Sequence, residues 1–229
     1  MYYEPGRQAH GLPHDPFKSC VVPRPIGWIS TTARDGTDNL APFSQFQNIT
    51  FDPPIVMFSA NQTSTGRRKD TTVNAEDTGE FVWNMATYDL REAVNLSSEE
   101  LPPDVDEFLR AGVTKAPSTR VRPPRVAESP IQFECAYLNT VRIPGNGVMG
   151  TVDVVFGRVL AVHIADWAMT ADGRIDIPRL RPLARLGYHD YTTVDHVFTM
   201  ATVMSTDGGA GLEGSPEKAA AALGRGLRA

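Results

Sequence analysis

Four short stretches in the first third of this chain carry residue types that grip a charged, hydrogen-bonding ligand. Arg67, Arg68 and Lys69 run directly into Asp70, Thr71 and Thr72. Such a series suits a phosphate. The first N–H groups of a helix lack intrahelical partners and carry partial positive charge, and lysine, arginine and hydroxyl groups complete the cradle. The same residues also read as a solvated charge run ahead of an ordinary capped helix, and taken alone they are better described that way. Three small-polar clusters upstream shift the balance toward a ligand site: Ser30, Thr31 and Thr32; Asn39, Ala41, Pro42, Phe43 and Ser44; and Ser59, Ala60 and Asn61. They alternate with turns that lack bulky charge.

Other chemistries find little support. The chain has no G-x-x-x-x-G-K-[ST], H-E-x-x-H or G-x-S-x-G motif, so a P-loop, a zincin and an α/β-hydrolase are unsupported. Gly145, Gly147 and Gly150 match G-x-G-x-x-G. That fingerprint requires a helix to open on the glycines, whereas the valine-rich residues 151–165 read as strand, so a hairpin turn is the better reading. The histidines, His10, His14, His163, His189 and His196, have spacings that suit no common metal cluster. Cys20 and Cys135 stand in apolar surroundings and are expected to be buried strand residues, unpaired in a reducing compartment. Asn48, Asn61 and Asn95 each begin an N-x-[ST] triplet; without a secretory signal these are chance matches.

The 229 residues, 41% of them hydrophobic, suffice for one domain with a substantial core. A net charge of −5 argues against a nucleic-acid partner, which would want a basic face. No apolar run approaches the roughly 20 residues that cross a bilayer, and MYYEPGRQAHGLPHDPF has no signal-peptide character, so a cytoplasmic protein with no membrane partner is expected.

The elements that must position the polar clusters follow from pattern. Residues 1–17 read as an irregular arm, 18–204 as the domain, and 205–229 as a mobile tail with room for a short helix after Ser215 and Pro216. Residues 19–32 read as a strand, edged or bent by Pro23 and Pro25. Asp35 and Gly36 mark a hairpin turn, LAPFSQFQNITF is the returning strand, and IVMFSA is a central strand covered on both faces. A helix is expected from Asp70 or Thr71 to Thr78, stopped by Gly79. EFVWNMA is a strand, and TYDLREAVNLSS a helix with Tyr88, Leu90 and Val94 on one face. The Pro- and Arg-rich residues 99–130 form a long excursion with one short helix around VDEFLRAG, of the kind that covers a functional site. IQFECAYLNTVRI and TVDVVFGRVLAVHIA are long strands paired through PGNGVMG. In the second, Val152, Val154, Phe156, Leu160, Val162 and Ile164 share one face; Asp153, Gly157 and His163 share the other. Residues 171–194 read mostly as loop with a short helix. Many strands with few, short helices make an antiparallel barrel with helices outside.

RPIGWISTTARDGTDNLAPFSQFQNITFDPPIVMFSAN, then RKDTTVNAEDTGEFVWNMA, VDEFLRAGVT, VRPPRVAESP, FECAY and RLGYHDY form an ordered series. Over about residues 15–198 it resembles the flavin reductase-like, FMN-binding split-barrel family. The resemblance implies a mainly β fold, a six-stranded antiparallel split β-barrel with a few peripheral helices, paired as a homodimer with the flavin at or near the subunit interface. It implies that Thr31 and Thr32, with neighbouring Ser30, lie beside the flavin ring, and that Asn39, Ala41, Pro42, Phe43 and Ser44 contact ring and ribityl. Ser59, Ala60 and Asn61 would lie along the same groove, and Lys69, Asp70 and Thr71 would hold the phosphate. Arg24, in the RPI block, is carried over as a further contact, and Tyr188, in RLGYHDY, as a residue that closes over the ring or reaches the neighbouring subunit.

Flavin carries hydride and electrons itself, which fits the want of a catalytic triad or acid pair; no catalytic side chain and no metal ligand is named. The implied reaction is hydride transfer from NADH or NADPH to FMN, with FAD as an alternative. Electrons then pass to free flavin, oxygen, a ferric complex or a partner monooxygenase. Three other readings stay open on the sequence. One is a non-catalytic flavin binder or carrier on the same barrel. Another is a flavin-free module in which the small-polar clusters serve only as turns. The last is a metal-dependent hydrolase, against which the histidine spacing speaks.

Overall fold

The computed structural model describes residues 1–198; the expected tail and its helix lie outside the described residues. The elements are β1 (Arg24–Pro25), β2 (Gly27–Thr32), β3 (Asp38–Phe43), β4 (Phe46–Phe51), β5 (Pro54–Asn61), α1 (Asp70–Thr78), β6 (Glu80–Met85), α2 (Arg91–Leu96), α3 (Glu107–Ala111), β7 (Lys115–Ala116), β8 (Arg125–Val126), β9 (Ile131–Ile143), β10 (Val152–Ile164), α4 (Ile177–Leu180), β11 (Leu183–Arg185) and β12 (Tyr191–Thr193). Seven strands form one antiparallel sheet in the order β3-β2-β6-β9-β10-β5-β4. A small sheet β1-β11-β12 and the pair β7-β8 complete it. No helix among the described residues is long and apolar enough to cross a membrane.

Strand order explains why the sheet curls. β3 and β4 are its two rims, yet only Ser44 and Gln45 separate them in the chain. Three Cα steps reach about 11 Å at most, so the sheet must roll until its rims meet. Among the described residues no ladder joins β3 to β4. The Ser59 N–H donates to the Gln45 carbonyl at 2.9 Å, and Phe43 packs on Phe58 with ring centroids 5.1 Å apart. The result is a split barrel, with seven strands in its sheet rather than six.

β2 is the wall between two cores. Ile29 packs with Phe58, Phe81, Trp83 and Val155 on one side. Ile26 and Trp28 pack with Leu40, Val94, Phe108 and Val126 on the other. All six residues of β2 are buried. This is the strand covered on both faces; β5, expected in that role, alternates buried Val56, Phe58 and Ala60 with half-buried neighbours. α1, α2 and α3 pack on β2, β3, β6 and β9.

Other differences have local causes. Residues 19–23 are not strand: Pro23 and Pro25 offer no N–H to a ladder, and regular pairing starts at Gly27. Cys20 is exposed outside any strand, whereas Cys135 is buried in β9 as expected. LAPFSQFQNITF is two strands, and residues 171–194 contain β11 and β12 as well as α4. α1 runs from Asp70 to Thr78 and ends at Gly79, whose φ of 76° is the left-handed conformation glycine adopts without strain. Its cap position falls on Lys69, with Asp70 inside the first turn.

The alternation along β10 sets Asp153, Val155, Gly157 and Val159 inward and leaves Leu160, Val162 and Ile164 exposed. A bulge at Leu160 interrupts the alternation, so Val162 and Ile164 pair with Phe133 and Ile131 of β9. Glu134 of β9 fixes the long excursion: its carboxylate, fully buried, accepts from the N–H groups of Thr119, Arg120 and Val121 and pairs with His163. Burial by itself would push this carboxyl up, but the hydrogen bonds from Thr119, His163 and Arg120 together hold it at about 2.

Candidate functional site

A cavity of about 380 Å³ opens where four pieces of chain meet: β3, the turn leading into α1, residues 97–102 after α2, and α3. β3 supplies Asn39, Ala41, Pro42 and Phe43. As a rim strand it leaves half of its backbone groups outside the ladder. One of them, the Leu40 N–H, donates to the Glu107 carboxyl at 3.2 Å.

The turn before α1 is tight. Thr63 N–H donates to the Arg67 carbonyl at 2.8 Å, Arg67 N–H returns a bond to Thr63 Oγ1 at 3.0 Å, and Gly66 sits at φ 81°. α1 is then sewn to the sheet. Asn39 Nδ2 donates to Thr71 Oγ1 at 2.8 Å, and Asn74 Nδ2 donates to Thr31 Oγ1 at 3.2 Å. The polar clusters of β2, β3 and α1 therefore converge.

The basic run divides its work. Arg68 points its guanidinium to Glu76, at 2.7 and 2.6 Å, and to Asp153 at 2.8 Å, so it locks α1 to β10. Glu76 and Asp153 raise its pKa further above the ordinary arginine value, against the opposing effect of burial. Lys69 Nζ lies 2.7 Å from Glu100 Oε1. Arg67 also lines the cavity and makes no ion pair within 4.0 Å among the described residues.

Two carboxyls in this cavity behave in opposite ways. Glu100 accepts from Ser64 N–H at 3.2 Å and from Ser64 Oγ at 2.7 Å, as well as from Lys69. The Lys69 ammonium first, then Ser64, hold its carboxyl at about 2. Glu107 is 7% exposed. Burial, reinforced by the charges of Asp70 and Asp106, pushes its carboxyl up to about 7, although the bond from Leu40 N–H works the other way.

Of the residues singled out in the sequence, Asn39, Ala41, Pro42, Phe43, Lys69, Asp70 and Thr71 line this one cavity. Ser30 and Thr31 lie behind it, fully buried, with Ser30 Oγ donating to the Pro124 carbonyl at 2.6 Å. Thr32 Oγ1 donates to Asp38 at 2.6 Å. Ser44 stands in the seam between β3 and β4. Ser59, Ala60 and Asn61 lie across that seam on β5, where Asn61 Nδ2 donates to the Met149 carbonyl at 3.0 Å. Arg24 donates to the carbonyls of Lys18, Val21 and Leu186 and so fastens the start of the domain to β11. Tyr188 is half exposed, at φ 50°, with its ring edge-on to His14.

Ser64, Glu100 and Glu107 are site residues that sequence reasoning did not pick out. For Ser64 the available signal was the polar turn ahead of α1, and for Glu100 and Glu107 it was the long polar excursion itself. Which of its carboxylates turns inward depends on the path of the chain.

Residues 19–184 match the family described as Flavin reductase like domain. An uncharacterized protein of Aquifex aeolicus is 38% identical over 167 residues, which is 73% of this chain and 82% of that protein. Nitrilotriacetate monooxygenase component B from Bacillus cereus superposes with a TM-score of 0.79 at 28% identity, over 87% of this chain and 98% of that one. A Shewanella frigidimarina protein with a split barrel domain superposes with a TM-score of 0.70 at 22% identity, over 81% and 89% of the two chains, which bears on the fold alone. On the match over residues 19–184, the chain belongs to the flavin reductase-like family, and its rolled, open-seamed sheet is that family's split barrel.

Proposed function

We propose that this protein is an FMN-binding oxidoreductase: an NAD(P)H-dependent flavin reductase that passes electrons through bound FMN to free flavin, oxygen or a partner monooxygenase. One observation carries the reading. The corner around Lys69 already gathers an ammonium, a hydroxyl and a backbone N–H onto a single carboxylate. That donor set is what a phosphate monoester needs, and Arg67 stands beside it as a further cation.

The rest of the cavity fits a flat, hydrogen-bonding ring. Ala41, Pro42 and Phe43 carry no bulky charge, and the rim of β3 offers unladdered backbone groups. When bound, the flavin supplies hydride and electron transfer from its own ring system. The chain's part is to hold the phosphate through Lys69, Arg67 and Ser64, to orient the ring along β3, and to shield it with residues 97–102. No side chain is needed as a general base. The likeness to nitrilotriacetate monooxygenase component B supports a monooxygenase as the partner. Pyridine nucleotide would stack on the open ring face, since Gly145, Gly147 and Gly150 lie in the β9–β10 hairpin and no helix opens on them.

Absorption spectra of the purified protein with FMN, before and after NADH or NADPH, test the proposal. The flavin band should shift on binding, bleach with the nucleotide and recover with oxygen. Bound flavin that oxidises neither nucleotide would make the protein a non-catalytic carrier, and no binding at all would remove the reading. Lys69→Ala should weaken FMN by about tenfold or more, the worth of a charge-assisted contact. Riboflavin, which has no phosphate, should change little, and equal losses for the two ligands would count against the assigned corner.

A further inference from the structure

Lys69 and Ser64 are not idle in this structure: the chain's own Glu100 carboxylate fills the corner assigned to the phosphate. Oε1 meets Lys69 Nζ at 2.7 Å, Oε2 meets Ser64 Oγ at 2.7 Å, and the Ser64 N–H is shared between both oxygens at 3.2 Å. An anion cannot take these donors while Glu100 holds them. Glu100 is free to leave. Its side chain is 37% exposed, so an outward swing returns it to water rather than to a buried pocket. The residues just before it are anchored elsewhere. Ser97 Oγ accepts from Trp28 Nε1 at 2.9 Å, and Glu99 pairs with Arg110 at 2.9 Å.

We infer that Glu100 is an internal competitor at the phosphate corner: the chain's own anion, which a phosphorylated flavin must displace in order to bind. The inference rests on the FMN reading and refines it. The exchange is one anion for another on the same donors, so its outcome depends on charge. A phosphate monoester carries close to two negative charges at neutral pH and a carboxylate one. FMN, with a terminal monoester, displaces Glu100. Riboflavin brings no anion, so it binds with Glu100 left in place. FAD presents phosphates that are each singly charged and esterified on both sides, and it competes less well. Glu100 thus weakens FMN and FAD by the same factor, the cost of displacing it, and leaves riboflavin untouched, so the chain trades affinity for a phosphate corner that is never left bare.

The test is fluorescence titration of the full-length protein with FMN, FAD and riboflavin, in wild type, Glu100→Gln, Lys69→Ala and the double variant. Glutamine keeps the size of Glu100 and removes its charge. Glu100→Gln should bind FMN about tenfold more tightly, the worth of one charge-assisted hydrogen bond no longer displaced. FAD should gain by a similar factor and riboflavin should change little. In the Lys69→Ala background the gain should vanish, because the contested donor is gone. Inorganic phosphate should compete with FMN at lower concentration in Glu100→Gln than in wild type. Two kinds of failure are distinct. If FMN is preferred over riboflavin through Lys69 but Glu100→Gln binds it no better, or worse, the phosphate site stands and Glu100 is a spectator or a cofactor ligand. If wild type and Lys69→Ala treat FMN and riboflavin alike, the phosphate site falls and this inference falls with it. Glu100→Ala serves as the second variant and should move FMN affinity in the same direction.

Discussion

Glu107 brings a titratable group close to neutrality inside the cavity. Its carboxyl is 7% exposed and sits at about 7 in the folded protein, against an ordinary value of 4.5. A raised carboxyl pKa means that the folded state favours the neutral acid. The resulting stability is fully present below pH 4.5 and is lost as pH rises through about 7. The ionised form therefore costs up to about 3 kcal/mol above that range. Glu107→Gln keeps an oxygen for the Leu40 N–H and removes the charge. It should match wild type in urea denaturation at about pH 4 and exceed it by up to about 3 kcal/mol at about pH 8.5. Parallel pH profiles for the two proteins would show that another group governs the change. Residues such as Lys69, Asp70 and Asn39 could be read from the sequence because each sits beside a turn or helix signal. Glu100 and Glu107 could not, because a carboxylate in a polar excursion looks like a solvated charge until the excursion is seen to fold back over β3.

At the level of elements, Gly157 sets how β10 packs. A Cβ built there would lie 2.2 Å from Phe81 Cζ, and Phe81 is fully buried with its ring edge-on to Phe58. Gly157→Ala should therefore cost about 1–3 kcal/mol, the usual penalty for overfilling a packed core. The loss should appear as a lower denaturation midpoint with an unchanged slope, and Phe81→Leu in the same chain should recover part of it. Wild-type stability for the single variant would mean that β10 yields more readily than its pairing on both sides suggests. α1 was legible at both ends because its signals are local, above all the glycine at its stop. The alternation of β10 held as far as Val159, but a bulge at Leu160 turns Val162 and Ile164 onto the side of Phe133 and Ile131, and which face points inward was not readable. It depends on Arg68 reaching across to neutralise Asp153 and on Gly157 admitting a ring from β6. β11 and β12 escaped notice because three-residue strands exist only by virtue of their partner β1.

For the whole molecule, the exposed apolar side chains of the β9–β10 hairpin raise the question of assembly. Leu138, Val141, Leu160, Val162 and Ile164 are each 38–52% exposed on adjoining strands. Apolar surface gathered in this way marks an interaction site more often than bare solvent contact. A homodimer, expected from the family resemblance, would find apolar surface to cover here. Light scattering should give twice the chain mass, and Val162→Asp should shift it toward the monomer. A wild-type monomer with full flavin occupancy would separate the cofactor from any interface. The overall class was visible in the alternation of strand and turn, whereas the rolling of the sheet was not, because it follows from β3 and β4 being rims joined by Ser44 and Gln45. That joint has a thermodynamic corollary. β3 serves at once as a margin of the barrel and as one side of the binding cleft, so whatever docks there also braces the unzipped margin. Occupancy and closure then become linked equilibria: amide exchange along the β3 and β4 margins should slow as ligand is added, while the deeply paired β9 and β10 scarcely respond.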